Sequence, residues 1–278
     1  MSGTLYLCAT PIGNLGDVSA RCIEIFNTVD MIAAEDTRRT LQLLNHFGIS
    51  KPLTSYHEHN KREKGEYIIR LLQEGKNVAL VSDAGTQAIS DPGEDLVKLC
   101  IENDITVTSV PGPVAGINAL ILSGLSTSRY AFEGFLSVNK RHRAEHLESI
   151  KNDTRTLIFY EAPHKLKNTL ADMQKYFGSD RKIAIARELT KLHEEILRFT
   201  VGEAIEYYNE VNPRGEYVLV VEGASKAEEP ELWWQTLSII EHVEKYINDG
   251  DSSKDAIKKV ATDRGLPKRE VYNEYHKE

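Results

Sequence analysis

Apolar residues fall into short runs of strand length, separated by stretches with helical spacing. Leu5 to Thr10 reads as a strand. Ala20 to Val29 reads as a helix, capped by Asp17 or Ser19. Met31 to Ala34 is a second strand, Arg39 to Phe47 a helix stopped by Gly48, and Pro52 to Tyr56 a short strand. Lys61 to Gln73 is a charged amphipathic helix ended by Gly75. Val78 to Val81 is fully apolar, as a buried strand requires. A helix over Glu94 to Ile101 and a strand over Thr106 to Val110 follow. Such alternation predicts a mostly parallel sheet with helices on both faces.

Val110-Pro111-Gly112-Pro113 breaks this rhythm and marks a boundary. Beyond it lie the apolar helix Val114 to Leu122 and the strand Tyr130 to Phe135. A basic helix, Lys140 to Ile150, precedes the strand Thr156 to Tyr160 and the helix His164 to Phe177. Strands over Lys182 to Arg187, Ile196 to Val201 and Tyr217 to Val221 then run nearly consecutively. This half therefore reads as mixed rather than parallel. After Gly223 the composition shifts to a linker, Ala-Ser-Lys-Ala-Glu-Glu-Pro, and a helical tail follows. The expected organisation is an N-terminal α/β domain over 1–111, a mixed α/β domain over 112–224, and a linker with helical tail over 225–278.

Within 278 residues, no segment approaches the ~18 uninterrupted apolar residues of a membrane span. The start has no charged leader pattern, so a cytoplasmic location is expected. Cys8, Cys22 and Cys100 are odd in number, widely spaced and set in apolar runs, which suits reduced core thiols. The net charge of −8 argues against nucleic-acid binding through a global basic field. A local basic patch remains compatible with it.

The candidate chemistry lies at strand ends, where open α/β sheets bind ligands. Ala9 to Asn14, Ala34 to Arg38, Asp83-Ala84-Gly85 and Val110 to Pro113 each follow a strand. Any one of them is an ordinary Gly-rich turn; four on one rim make a crevice. Neither a G-x-G-x-x-G nor a G-x-x-x-x-G-K-[ST] pattern is present. Carboxylates on the rim favour hydroxyls or a cation over a phosphate. His57 and His59 lack a third ligand at a supporting spacing, so no metal is expected. Lys140, Arg141, His142 and Arg143 form the best candidate phosphate patch. In the tail, Asp251-Ser252-Ser253 caps a helix through Thr262, Gly265 makes a turn, and Pro267 opens a second helix through Tyr275. That helix-turn-helix outline carries Lys258, Lys259, Arg264, Lys268 and Arg269; it suits a packing hairpin or a nucleic-acid reader equally.

Seven ordered motifs carry a family resemblance. They are Leu5 to Asp17, Ala34 to Arg38, Tyr56 to Asn60, and Ser82 to Thr86 with Ile89 to Gly93. Phe159-Tyr160-Glu161 with Pro163-His164, Arg187 to Lys191 with His193 to Glu195, and Arg214-Gly215-Glu216 complete the set. Together they resemble the bacterial 16S ribosomal RNA cytidine 2′-O-methyltransferases of the tetrapyrrole methylase superfamily. The resemblance implies two α/β domains flanking an S-adenosylmethionine cleft, and a homodimer. It also implies methyl transfer to a cytidine ribose of 16S rRNA in the small ribosomal subunit. On that template the donor touches Pro11, Asp83, Ala84, Gly85, Ile89, Ser90, Asp91, Val114, Ala115, Tyr160, Glu161, Glu188 and Leu189. The rim residues themselves, not the template, offer Asp36, Arg38 and Lys191 as catalytic candidates, with Glu35, His57 and Asn60 beside them; Asp36 and Arg38 suit a structural ion pair equally. The template makes the helical tail an accessory RNA-contacting module, and the basic patch and tail offer Lys140, Arg141, Arg143, Lys258, Lys259, Lys268 and Arg269 for RNA contact. The chain departs from the family pattern at Gln87, where Pro is usual, and at Val114, Ala162 and Lys165. A related methylase with a small-molecule acceptor and a non-catalytic ribosome-associated RNA-binding factor are the alternatives.

Overall fold

The computed structural model describes residues 2–225, 233–234 and 236–277. It divides into two compact units, Met1–Ser225 and Lys226–Glu278. Most of the expected linker, 226–232, lies outside the described residues.

The first unit contains two five-stranded sheets. Strands β1 (Thr4–Cys8), β2 (Met31–Ala34), β3 (Leu53–Ser55), β4 (Val78–Val81) and β5 (Thr106–Val110) pair in the order β3-β2-β4-β1-β5. Every pair is parallel. Helices α1 (Ala20–Thr28), α2 (Thr37–His46), α3 (Lys61–Gln73) and α4 (Gly93–Glu102) alternate with these strands. Successive strand residues point to opposite faces, so one apolar run feeds two cores. Val78 and Leu80 pack with Ile68 and Leu72 of α3 and Leu96 of α4. Ala79 and Val81 pack with Phe26 of α1 and Leu44 of α2. All three cysteines are free and buried.

The second sheet joins β6 (Tyr130–Phe135), β7 (Thr156–Glu161), β8 (Lys182–Arg187), β9 (Glu195–Thr200) and β10 (Tyr217–Val221) in the order β6-β7-β10-β8-β9. The β6–β7 pair is parallel and the others are antiparallel, so the sheet is mixed. On one face Leu157, Phe159, Ile183, Ile185 and Leu219 meet α6 (Lys140–Ile150), α7 (Leu166–Phe177) and α8 (Val201–Glu210). On the other, Ile158, Ala184, Ala186, Val218 and Val220 meet α5 (Ala115–Ser123).

Helix α8 is the element that the hydrophobic pattern does not reveal. Val201, expected to end a strand, instead opens this helix. Its start is fixed by a capping box, in which the Thr200 side chain and Glu203 satisfy each other's backbone N–H groups. The sequence Thr200-Val201-Gly202-Glu203 carries that signature, worth about 1 kcal/mol at such a cap.

The second unit contains α9 (Ile239–Asn248), α10 (Ser253–Arg264) and α11 (Lys268–Tyr275). Ser252 caps α10, Gly265 ends it at φ +62°, and Pro267 precedes α11. The small core is Val243, Ile257, Val260 and Val271. His242 sits within it at 0% exposure, stacked on Trp234 and Tyr246. The Arg264 guanidinium Nε donates to His242 Nδ1 at 3.2 Å, and Asp263 Oδ2 lies 3.4 Å from Nε2. Burial, reinforced by the Arg264 charge, pushes the His242 pKa down despite Asp263. The folded unit therefore holds a neutral imidazole, whereas the unfolded chain takes up a proton below about pH 6.5. Stability contributed by His242 is complete above that pH and is lost as pH falls toward the lower folded value. Amide exchange in α9 to α11 should accelerate between about pH 7 and 5.5 beyond its intrinsic pH dependence, and His242→Phe should remove the excess. An unchanged protection factor over that range would refute the assignment.

Candidate functional site

The loops that leave the first sheet are tied together by backbone. Thr10 and Gly85 form an isolated antiparallel bridge, with N–H to O distances of 3.0 and 3.1 Å. Thr10 Oγ1 donates to the Ser82 carbonyl at 3.2 Å. Gly85 has φ +84°, and a Cβ there would lie 3.2 Å from Ile12 and 3.3 Å from the Pro113 carbonyl. Only glycine takes that conformation and permits that approach without strain. Thr86 Oγ1 donates to the Pro113 carbonyl at 3.0 Å. Asp83 Oδ1 accepts from the Asp36 N–H at 3.0 Å, which draws in the loop after β2. The loops after β1, β2, β4 and β5 thus form one rim.

The segment 86–93 is shaped by Asp91. Its carboxylate accepts the N–H groups of Ala88 at 3.1 Å, Ile89 at 3.2 Å and Gly93 at 2.7 Å. These bonds support Ala88 at φ +61° and Ser90 at φ +63°, a region that side chains with a Cβ seldom occupy. Gln87, at the position where Pro was expected, is 5% exposed and its Nε2 has no hydrogen-bond partner.

The second sheet supplies the facing wall. Tyr160 Oη accepts from the Gly116 N–H at 3.1 Å, at the start of α5. Its ring lies edge-on to Phe132 and Phe135, with centroids 5.0 and 5.5 Å away. The buried Glu161 carboxylate accepts from the Ala162 N–H at 2.8 Å and the Thr169 hydroxyl at 2.5 Å. Glu188 at φ +52° and Thr190 at φ +66° form a tight turn. Glu188 Oε1 accepts from the Glu216 N–H and from Lys191 Nζ, both at 2.9 Å. Lys191 Nζ also reaches Glu216 Oε2 at 2.9 Å.

The walls enclose a cleft of about 630 Å³. Five carboxylate residues line it: Glu35, Asp83, Asp91, Glu161 and Glu216. No Lys or Arg is among its described lining residues. Burial raises the Glu35 pKa, and the nearby Asp83 and Asp91 charges raise it further. Half-buried space with apolar and aromatic walls and a negative rim suits an organic cation and disfavours a phosphate.

Eleven of the donor-contact residues expected from the sequence line this cleft: Asp83, Ala84, Gly85, Ile89, Ser90, Asp91, Val114, Ala115, Tyr160, Glu161 and Leu189. Pro11 lines a neighbouring hollow of about 320 Å³ instead. Glu188 braces the Lys191–Glu216 pair beside the cleft. Sequence reasoning missed Ile12, Thr86, Phe135, His164, Ala186, Tyr217 and Val218 as lining residues. Of these, Ile12, Thr86 and His164 fell within the family motifs and Tyr217 and Val218 directly follow one. Nothing in the sequence marked Phe135 or Ala186.

The rim charges are already engaged. Asp36 caps α2 and forms a two-point pair with Arg38, at 3.1 and 2.8 Å. The Arg38 side chain is 88% exposed. The Arg38 contacts hold the Asp36 carboxyl below the usual carboxylate range. His57 takes its place through Asn60, whose Oδ1 accepts from the His57 N–H at 2.8 Å. Among the basic candidates, Arg143 bridges α6 to Asp172 of α7 at 2.6 Å and its side chain is 15% exposed. Arg141 pairs with Glu145 and Lys259 with Asp251. Lys140, Lys258, Lys268 and Arg269 are exposed.

Two sheets, each covered by helices on both faces, whose strand-end loops close on a carboxylate-rimmed cleft define an α/β ligand-binding protein, and known proteins narrow the class. Residues 4–205 match the family model of the tetrapyrrole (corrin/porphyrin) methylases. A ribosomal RNA small subunit methyltransferase I from Halalkalibacterium halodurans is 54% identical over 99% of this chain and 96% of its own length. Its namesake from Bacillus subtilis is 51% identical over 99% of this chain and 94% of its own. Among solved structures, a diphthine synthase superposes with a TM-score of 0.64 at 12% identity, over 80% of this chain and 90% of that one. The native form of uroporphyrin III C-methyltransferase from Thermus thermophilus gives 0.58 at 14% identity, over 79% and 97%. The chain belongs to the tetrapyrrole methylase family and, within it, to the ribosomal RNA small subunit methyltransferase I group. Methyltransferases of this family use S-adenosylmethionine. No helix among the described residues is long and apolar enough to cross a membrane.

The loop over 86–93 generates a test of stability. Asp91→Ala leaves three N–H groups without their acceptor and should cost about 1–3 kcal/mol in denaturant unfolding. Gln87→Met removes an amide whose nitrogen has no partner, and should be neutral or stabilising. Equal losses from the two substitutions would contradict this account of the loop.

Proposed function

We propose that the protein transfers a methyl group from S-adenosylmethionine to the 2′-hydroxyl of a cytidine ribose in 16S rRNA of the small ribosomal subunit. The observation that carries the donor assignment is the strand-end cleft, with five carboxylates and no Lys or Arg among its described lining residues. The relatives' names support an rRNA acceptor; cytidine and the 2′-oxygen rest on the motif resemblance. S-adenosylmethionine, when bound, supplies a methyl group on a positively charged sulfur. The residues suited to hold it are Asp83 to Thr86, Ile89 to Asp91, Val114, Ala115, Tyr160 and Leu189.

Glu35 is the group we assign to accept the hydroxyl proton. It lines the cleft, and its raised pKa brings its basicity closer to the working pH, where a general base is most effective. Asp36, Arg38 and Lys191 border the same rim and position the acceptor. Exposed apolar side chains on α5 (Ile117 and Ile121) and on the edge strand β6 (Tyr130 and Phe135) support a homodimer. The exposed Lys140, Lys258, Lys268 and Arg269 support RNA contact, with a modest salt dependence given the acidic total.

Tritiated S-adenosylmethionine and small subunits from a strain lacking the enzyme test the reading. Label should appear in RNA, and nuclease digestion should yield 2′-O-methylcytidine. Label confined to a small molecule would favour the small-acceptor alternative, and absence of donor binding in calorimetry would favour the non-catalytic one. Glu35→Gln should lower the single-turnover rate about 100-fold. The wild-type rate should rise with pH as Glu35 loses its proton, and that limb should vanish in the variant. Unchanged rates after Asp36→Ala, Arg38→Ala and Lys191→Ala would remove those three from the mechanism.

A further inference from the structure

The smaller hollow beside the cleft has a different chemistry. Its about 320 Å³ lies at the small end of ligand-pocket volumes. Pro11 and Leu15 of the loop after β1 form one side. Arg39, Gln42, Leu43 and His46 form the other. These four lie at spacings of three and four on α2, so they share one helix face. Arg39 reaches Asp83 Oδ2 at 3.1 Å, yet its side chain is 67% exposed. One guanidinium, one imidazole and one amide thus stand over apolar Pro11, Leu15 and Leu43. That set matches a single nucleotide. Apolar surface takes the face of an unstacked base, an amide reads its edge, and a cation takes the phosphate.

The two hollows share Ser82 and Asp83 as a common wall. The larger one presents carboxylates without Lys or Arg among its described lining residues, which repels a phosphodiester. An RNA strand must therefore approach from a side that carries a cation, and Arg39 places one at the shared wall. We propose that the hollow between α2 and the loop after β1 seats the base and phosphate of the acceptor nucleotide, leaving its ribose at the Asp83 wall facing the donor cleft. This rests on the RNA-methylation reading above.

The test uses the full-length enzyme, small ribosomal subunits and S-adenosylmethionine. Gln42→Glu and His46→Glu place a negative charge on the exposed part of the hollow, and melting curves check that both variants fold. Each should raise KM for subunits about tenfold, with kcat less affected and calorimetric S-adenosylmethionine affinity unchanged. Gln73→Glu, on the exposed surface of α3, makes the same charge change elsewhere and should leave KM as it was. If KM is unaltered in both hollow variants while the wild type labels RNA, the seat is wrong. A parallel loss of donor affinity would assign the hollow to the donor and also overturn it. If the wild type binds donor but labels no RNA, the RNA reading itself fails.

Discussion

The candidate site depends on one backbone contact, the bridge between Thr10 and Gly85. It joins the end of β1 to the end of β4, two neighbours in the parallel sheet. Residue 85 must adopt φ +84° and accept Ile12 and the Pro113 carbonyl at close range. A side chain there would separate the first loop from the fourth. The Ser82–Asp83 wall is held where it is by the same bridge, so both hollows inherit their shapes from it.

Charge then distinguishes the two hollows. Lining carboxylates in the larger cleft are mostly fixed by hydrogen bonds: Glu161 through Thr169, Asp91 through three loop amides, Asp83 through Asp36. They are therefore structural and electrostatic at once. Their field favours a cation without the need to move any side chain, which is how preorganised sites lower the cost of binding. Glu35 is set apart by its raised pKa, a consequence of burial beside two other acids. Across the wall, α2 places its cation where the cleft has none.

Much of the scaffold was legible in the sequence. Met31–Ala34, Lys61–Gln73, Thr106–Val110, Tyr130–Phe135 and Lys182–Arg187 have the limits that their periodicity and flanking turn residues predict. The parallel and mixed character of the two sheets followed from how strands and helices alternate. Helix α8 did not, because a capping box directly after a strand gives no break in the apolar run. Of the eleven expected cleft residues, nine lie in the seven motifs and Val114 and Ala115 follow from the family template, whereas Phe135 and Ala186 reach the cleft only through the pairing of the second sheet.

The sequence by itself determined the strands, the turn glycines and the family, since each is encoded in local spacing or contiguous motifs. Tertiary structure decided the long-range use of the charges. Arg143, offered by the sequence as a phosphate contact, pairs with Asp172, which lies 29 positions away. Asp36 and Arg38 hold each other, Lys191 holds two glutamates, and Pro11 turns toward the second hollow. Asp36 with Arg38 and Glu188 with Lys191 are neighbours along the chain, whereas the Arg143–Asp172 and Lys191–Glu216 pairs depend on distances between remote segments, which no local pattern carries. The electrostatic difference between the two hollows is of the same kind, since it exists only once the sheets have brought those side chains together.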